Sequence, residues 1–278
     1  MNIVGIGQAG CAVALKFQKY PQYDIHCIDS KKWECDNYYE IGKADTHEEY
    51  EKTYPAGTLS TLEAPCVIIL SGAGAISGVV LRAMEELRGK ITDDVCIKPD
   101  LDNISEIARK RDRLTSQVLQ QYARSALFKR LYLVENKKVE QALPGISIKG
   151  YWDQINETIS STYHMLNVFN NTEPLLTTRG DNPDSARIAT FGLMDFETGK
   201  EKMFFDLQEP RTKLYYFGIN NSYLEEDKDL LFKIRNMTSK NSSEKAVTAF
   251  SVYSTDYEHN YVYGVQCATL VQEQNIDF

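Results

Sequence analysis

The sequence predicts an α/β protein: a parallel, Rossmann-like sheet, then one long central helix and a smaller α+β unit. Three observations carry this prediction. In the first half, short apolar segments typical of buried strands alternate with helical patterns. Two of those strands run directly into glycine-rich turns. In the last third, strand patterns follow one another with turn signals between them.

Five strands are expected in the first half, each followed by a helix or a loop: residues 2–5, 23–28, 66–70, 94–97 and 130–134. Pro99 ends the fourth strand, because proline cannot continue a central ladder. A long helix is expected over residues 103–127. Residues 31–63 have no clear period and are expected to form a short helix with loops.

A helix of roughly twenty residues is predicted from Tyr151, since apolar residues recur at helical spacing as far as Phe169. Residues 177–186 are expected to form a loop. Strands are expected at residues 202–207, 213–219, 246–253 and 261–270, and the polar segment 256–260 predicts a hairpin between the last two. This organisation predicts a nucleotide-binding domain at 1–149, a central helix at 150–171 and a C-terminal α+β domain at 172–278.

Composition narrows the class of protein. The 278 residues are 42% hydrophobic and 25% charged, as in ordinary globular proteins, and no membrane span is expected. A net charge of −8 argues against a general nucleic-acid binder, because such binding depends on neutralising phosphates with Lys and Arg. The chain starts in a strand without the pattern of a signal peptide, so a cytoplasmic location is expected. Six cysteines and four histidines show no metal-ligand spacing.

Two glycine-rich turns predict a phosphate site. Gly5, Gly7 and Gly10 fit the dinucleotide fingerprint G-x-G-x-x-G, and Asp29 lies about twenty residues further on, as that motif expects. A second cluster, residues 71–78, follows the strand at 66–70 and precedes a helical pattern. Two such loops at the carboxyl ends of parallel strands are expected to converge on one polyphosphate.

At this point the chain resembles the tubulin/FtsZ family of GTPases. Residues 7–11 read G-Q-A-G-C, as in tubulins, and residues 72–78 are a degenerate form of the family's loop G-G-G-T-G-[ST]-G, with Ala73, Ala75 and Ile76 as the departures. The order of elements agrees with the family over residues 1–190. The resemblance implies GTP and Mg²⁺ as cofactors, with no metal ligand assigned. It implies that the nucleotide is bound by Gly7, Gln8, Ala9, Gly10, Cys11, Asp29, Gly72, Ala73, Gly74, Ala75, Ile76, Ser77, Gly78, Asn136, Trp152 and Asn156.

Some of these residues have a second interpretation. Trp152 and Asn156 match an aromatic residue and an amide four positions apart, which share a helix face and could stack on and bond to a purine base. Trp152 could equally lie in the core. Cys11 could pack its helix, and Asp29 could cap the turn that follows it.

The resemblance also implies a hydrolysis loop. In the family, a loop N-x-D-x-x-[DE] reaches into the nucleotide site of the next subunit, and Asn182 and Asp184 match its first two positions as the catalytic candidates. Arg187 stands at the third position. A guanidinium cannot accept a proton from water, so hydrolysis is expected to be slow or to depend on Asp184 or Asp181. A plain solvated turn is the alternative interpretation.

The function implied is a GTP-binding cytoskeletal protein that assembles head to tail into filaments, most similar to small viral or plasmid tubulins that position or segregate DNA. Self-association is the expected contact, with no membrane and no direct nucleic-acid partner. Residues 31–63 look too short for both of the family's intervening loops, including the one that senses the terminal phosphate. An NAD(P)-dependent oxidoreductase using Gly5, Gly7, Gly10 and Asp29, and a nucleotide-free structural relative, remain alternatives.

Overall fold

The computed structural model describes residues 1–180 and 186–273. In chain order its strands and helices are β1 (Asn2–Ile6), α1 (Gly7–Ala14), β2 (Asp24–Asp29), β3 (Asn37–Glu40), α2 (His47–Thr53), β4 (Cys66–Ser71), α3 (Val80–Glu86), β5 (Ile91–Lys98), α4 (Glu106–Arg124), β6 (Arg130–Glu135), α5 (Asn136–Ala142), α6 (Tyr151–Asn170), β7 (Leu176–Thr177), β8 (Ile188–Met194), β9 (Glu201–Met203), β10 (Thr212–Asn220), α7 (Asn221–Glu226), α8 (Leu230–Lys240), β11 (Val247–Thr255) and β12 (Tyr261–Ala268). Short 3₁₀ segments occur at Leu15–Lys19, Ala75–Val79 and Leu101–Asn103.

The described strands form one mixed sheet. Its order is β3-β2-β1-β4-β5-β6-β8-β12-β10-β11-β7, and β9 pairs with β8. All pairings from β3 to β8 are parallel, as predicted for the first half. Beyond β8 the sheet becomes mixed, with β12 antiparallel to both of its neighbours and β11 parallel to β10. The predicted α/β class is therefore confirmed. The sheet is continuous across the predicted domain boundaries, which stay a prediction.

Both faces of the sheet are buried, because successive side chains of a strand point to opposite sides. On β1, Ile3 packs with α1, α5 and α6, whereas Val4 packs on the other side with α2, α3 and α4. Under β10 and β11, α8 covers a third apolar cluster. The central helix α6 spans 20 residues as predicted, and it packs against strands of both halves of the sheet.

The predicted hairpin over residues 256–260 is wrong. β11 and β12 do not pair with each other, since both pair with β10, one on each side of it. The polar segment reverses the chain but carries it across a neighbouring strand. The sequence analysis also missed β3 and β8, and of the strand expected at 202–207 only Glu201–Met203 forms.

Within the part of the chain that the structure describes, no helix combines the length and the apolar character needed to cross a bilayer. The six cysteines are all free thiols. Cys27, Cys66 and Cys96 lie buried in strands, as the apolar pattern around them indicated.

Candidate functional site

The first glycine turn joins β1 directly to α1. Gly7 has a φ of +71°, which favours glycine over residues with a side chain. A Cβ at Gly10 would lie 2.2 Å from the Ile69 carbonyl oxygen, so this glycine lets α1 approach β4. The helix then presents its first turn at the carboxyl edge of the sheet, with the Gln8 side chain exposed and Ala9 half-buried. Free amides at such a helix start favour anions.

The second glycine turn joins β4 to the 3₁₀ segment Ala75–Val79, and two of its glycines are explained by packing. A Cβ at Gly72 would lie 3.0 Å from Asp112 Oδ1 on α4. One at Gly78 would lie 2.2 Å from the His47 carbonyl oxygen on α2. Both positions therefore allow neighbouring helices to approach the loop closely.

Ser77 ties this second turn to the helices around it. Its hydroxyl oxygen is buried and lies 3.0 Å from the Gly72 carbonyl oxygen and 2.8 Å from that of Gly74. The His47 ring nitrogen Nε2 contacts the same hydroxyl at 2.9 Å and the Gly74 carbonyl oxygen at 3.2 Å. Burial lowers the pKa of His47, so its ring is neutral at pH 7. Ser77 and His47 therefore hold the loop without facing a ligand themselves.

The two turns open into the same cavity, which has a volume of about 570 Å³. That size is within the range typical of small-molecule sites. The predicted residues that line it are Gly7, Gln8, Ala9, Asp29, Gly74, Ala75, Ile76, Asn136, Trp152 and Asn156. The convergence of both turns on one cavity is the arrangement that the sequence predicted.

The other predicted and described residues do not line the cavity: Gly10, Cys11, Gly72, Ala73, Ser77 and Gly78. Cys11 is fully buried, and its thiol faces the Gly5 and Ile28 carbonyl oxygens at 3.4 and 3.6 Å. It packs α1 onto the sheet, which was the second interpretation of this residue. The contact predicted between Cys11 and a ligand is therefore not formed by its side chain.

Asp29 ends β2 at the rim of the cavity, and its carboxylate is already engaged. Oδ1 accepts a hydrogen bond from the Ser30 amide at 2.7 Å, and Oδ2 accepts one from the Trp33 indole N–H at 2.7 Å. The side chain therefore caps the turn after β2 and orients Trp33.

At the far end of the cavity, α5 and α6 supply the residues predicted to recognise a base. Asn136 is the first residue of α5, and Trp152 and Asn156 lie one turn apart on α6. Trp152 is 61% exposed and therefore not a core residue. Its ring packs edge-on against Tyr151, with centroids 5.1 Å apart. An ion pair between Lys16 and Asp153 joins α6 to the segment after α1.

Further residues line the cavity that were not among the predicted site residues: Ser30, Trp33, Ala44, Tyr50, Ser71 and Pro99. Ala44 is informative because it lies between β3 and α2, in the stretch expected to be too short for both of the family's intervening loops. This segment does reach the cavity, and Gly42 lies two residues before Ala44. The sequence did contain a signal for the start of α2, since Thr46 and Glu49 form the capping box of that helix.

Asn182 and Asp184, the catalytic candidates, lie outside the described residues, as does Asp181. Arg187, at the end of the same loop, is described. Its Nη1 donates to the carbonyl oxygens of Phe128 and Lys129, at 3.2 and 3.4 Å. These residues immediately precede β6, whose other end leads to Asn136 at the cavity. The loop thus joins β8 at the sheet edge opposite the cavity, a strand length of about 17 Å away.

The fold and the cavity together define an α/β protein with a nucleotide-sized site at the carboxyl edge of a parallel sheet. No family model matches the chain, and no curated protein matches it. Solved structures do. Methanogen FtsZ (M. jannaschii, W319Y mutant) has a TM-score of 0.71 at 14% identity, covering 97% of this chain and 90% of that one.

Two filament structures are similar to the same extent. The GTPγS-bound protofilament of CetZ2 from Haloferax volcanii has a TM-score of 0.68 at 14% identity, covering 96% of this chain and 92% of its own. TubZ from Bacillus thuringiensis serovar israelensis, as a GTPγS-form protofilament, has a TM-score of 0.68 at 13% identity, covering 96% and 86%. The chain therefore has the tubulin/FtsZ fold, as the resemblance of its loops predicted.

Proposed function

We propose that this protein binds a guanine nucleotide in the cavity between its two glycine turns and assembles head to tail into filaments. The observation that carries the proposal is that Gly7–Ala9, Gly74–Ile76 and the pair Trp152 and Asn156 all line one cavity. Backbone amides at the helix start suit phosphates, and the indole and amide one turn apart suit a purine. The CetZ2 and TubZ structures with this fold are GTPγS forms, which supports the same ligand class.

The position of the loop 177–186 supports assembly in a head-to-tail manner. Arg187, which follows the loop, lies at the edge of the sheet opposite the cavity, next to the residues that precede β6. A second copy stacked on the first could bring the proposed residues Asn182 and Asp184 to the nucleotide of the first. Contacts of this kind do not close on themselves and generate filaments. Two of the similar solved structures are protofilaments.

Mg²⁺ fits the cavity as an ion held mainly by the phosphates. Among residues 1–180 and 186–273, no group of three or more His, Cys, Asp or Glu side chains could hold a metal. The Asp29 carboxylate already accepts two hydrogen bonds, and Gln8 is an exposed side chain with an oxygen at the rim. Mg²⁺ commonly keeps several waters and takes few protein ligands. The ion would neutralise charge on the phosphates.

Hydrolysis by this protein is proposed to be slow. Arg187 stands where the family has an acid, and its guanidinium is tied to the Phe128 and Lys129 carbonyl oxygens. It has no acceptor for a proton from water. Asp184 is then the residue on which remaining turnover depends. A role in positioning plasmid or viral DNA is part of the same proposal, and a plasmid segregation TubZ is among the structures with this fold.

The first experiment identifies the nucleotide. Protein purified without added nucleotide is denatured, and the released compound is identified by chromatography and absorbance. GDP or GTP supports the proposal, whereas NAD(P) would favour the oxidoreductase. If nothing is released and neither GTP nor GDP quenches the fluorescence of Trp33 and Trp152, guanine-nucleotide binding is refuted. These are the only two tryptophans in the sequence, and both line the cavity.

Three variants test the site and the proposed role of the loop. Trp152→Ala and Asn156→Ala should each weaken GTP binding by about tenfold, the loss of one stacking or bidentate contact. Gln154→Ala is the matched control, since it is exposed on the same helix and does not line the cavity. Pelleting with GTP measures assembly. Asp184→Ala should bind GTP normally, pellet, and lose turnover; fast turnover unchanged in this variant would contradict the proposed role of the loop.

A further inference from the structure

The side chain of Ile76 lies between the two glycine turns. A Cβ at Gly7 would be 2.6 Å from Ile76 Cγ2, so this methyl group packs directly on the Gly7 backbone. A Cβ at Gly74 would be 3.5 Å from the same methyl. Gly7, Gly74 and Ile76 all line the cavity. A phosphate that contacted both turns at once would therefore have to lie where this side chain lies.

The local structure holds Ile76 in that place. It is β-branched, so its χ1 has few accessible rotamers, and it follows Ala75 at the start of a 3₁₀ segment. On its other side, the Ser77 hydroxyl and the His47 ring fix the Gly74 carbonyl. Ile76 also packs against the apolar cluster under α2 and α3. Moving the side chain out of the cavity would disturb each of these contacts.

The charge of the residues that line the cavity also disfavours a long phosphate chain. Among the described residues that line the cavity there is no lysine and no arginine, and the only acid is Asp29. Each added phosphate brings more negative charge into a partly apolar cavity without a fixed cation to offset it. Backbone amides at the start of α1 serve the first phosphates, and Ile76 separates those amides from the second turn.

We propose that Ile76 sets the length of the phosphate chain that this cavity accepts, so that a guanine nucleoside diphosphate binds at least as well as the triphosphate. This inference rests on the proposed nucleotide-binding function and concerns its selectivity. It makes Ile76 a specificity-determining residue that acts by filling space. The diphosphate form is then the stable resting state of the protein.

The test compares dissociation constants for fluorescent (methylanthraniloyl) GMP, GDP and GTP, read by energy transfer from Trp33 and Trp152 in the presence of Mg²⁺. In the wild type, the dissociation constant for GDP should be below that for GTP or equal to it within about threefold. Ile76→Ala and Ile76→Gly should tighten GTP binding by about tenfold or more while changing GDP by less than about threefold. Leu81→Ala is the control, because Leu81 packs on the same cluster but does not line the cavity.

The outcomes separate the two proposals. Wild-type protein that binds GTP more than about threefold tighter than GDP overturns the role of Ile76 and leaves nucleotide binding intact. Folded Ile76 variants with an unchanged GTP to GDP ratio, or a change equalled by Leu81→Ala, also overturn it. If neither the wild type nor any folded variant binds a guanine nucleotide, the proposed function itself fails. Thermal unfolding of each variant establishes that it is folded, and Ile76→Ala serves where the glycine variant is not.

Discussion

Gly78→Ala is the substitution whose effect the structure specifies most sharply. A Cβ at this position would lie 2.2 Å from the His47 carbonyl oxygen and 2.8 Å from the His47 Cα. These are backbone atoms in the first turn of α2, so no side-chain rotation can relieve the contact. Ordinary van der Waals contact begins near 3.4 Å, which requires α2 and the 3₁₀ segment to separate by about 1.2 Å.

The separation would disturb a closely packed apolar cluster. Tyr50 and Tyr54 of the α2 region pack against Val79 and Val80 in the same apolar cluster, and a shift of α2 opens this contact. Overpacking a buried position costs roughly 1–3 kcal/mol, with larger values where the backbone must move. We expect Gly78→Ala to lower the free energy of unfolding by about 3 kcal/mol. For a chain of this size, at about 2.1 cal/mol/K of unfolding entropy per residue, the melting temperature should fall by roughly 5 °C.

The assay is equilibrium unfolding in urea, followed in parallel by tryptophan fluorescence and far-UV circular dichroism. Gly145→Ala is the matched control, because no atom lies within 4 Å of its added Cβ and its φ is not in the left-handed region. This control should be neutral or slightly stabilising, since alanine restricts the unfolded chain. Gly10→Ala, whose Cβ would lie 2.2 Å from the Ile69 carbonyl oxygen, should be as damaging as Gly78→Ala.

Equal midpoints for Gly78→Ala and Gly145→Ala would refute this reasoning. Such a result would mean that the close approach of α2 to the second glycine turn is not part of the native packing. A stable Gly78→Ala protein with weakened GTP binding would return this glycine to the ligand site. The structure instead predicts that any loss of binding follows the loss of stability.

Three other substitutions test individual interactions. Lys98→Met should destabilise the protein by about 3 kcal/mol in urea unfolding, because it removes the ion pair between Lys98 and the fully buried Asp112 carboxylate. Lys137→Met is the control: it removes an exposed ion pair and should change stability by less than about 0.5 kcal/mol. Burial raises the pKa of Asp94, whose oxygens have no hydrogen-bond partner among the described residues. The stability that Asp94 contributes is therefore full below the ordinary pKa and is lost as pH rises toward the raised one. Asp94→Asn should gain stability over wild type as pH rises above about 4, by at most about 1.4 kcal/mol per pH unit, and a constant difference would contradict this. Thr46→Ala should cost about 1 kcal/mol and speed amide exchange in α2, because it removes the capping box with Glu49, and unchanged exchange there would exclude that role.

The sequence could predict the parallel half of the fold because its signals are local. Apolar runs such as residues 66–70 are bounded by a proline and a glycine, and each is followed by a helical pattern. β3 was missed because Asn37-Tyr38-Tyr39-Glu40 lies at the sheet edge and is partly exposed, which gives it no apolar run. β8 was missed because it follows the loop directly and contains Gly192. A Cβ there would lie 2.3 Å from the Lys202 carbonyl oxygen on β9, a contact that only the folded chain reveals.

Strand order in the second half could not be predicted for a related reason. The turn signal at residues 256–260 indicates that the chain reverses. It does not indicate which strand the returning segment pairs with. β10 is buried on both faces and has unsatisfied ladder groups on both edges until β11 and β12 arrive. Placing β10 between them satisfies both edges. The hairpin would have left one of those edges open.

Spacing within one element was enough to predict that two residues face the same cavity. Trp152 and Asn156 share a helix face by periodicity alone, and both line the cavity. Trp33 and Ala44 were missed because tertiary structure brings them there: the Asp29 carboxylate orients the Trp33 indole, and α2 docks on the second turn and sets the loop before it. Neither contact has a signature in the local sequence.

The second glycine cluster also indicates how a binding motif diverges. Glycine is present at 72 and 78, where a Cβ would meet α4 and the backbone of α2. The positions that depart from the family form are Ala73, Ala75 and Ile76, and two of these line the cavity. Packing against helices therefore constrains the ends of the loop, whereas its ligand-facing positions can accept side chains while the fold persists. Helix packing accordingly explains the glycines at 72 and 78 without a ligand, and Ile76 is the position at which the proposed nucleotide preference is tested.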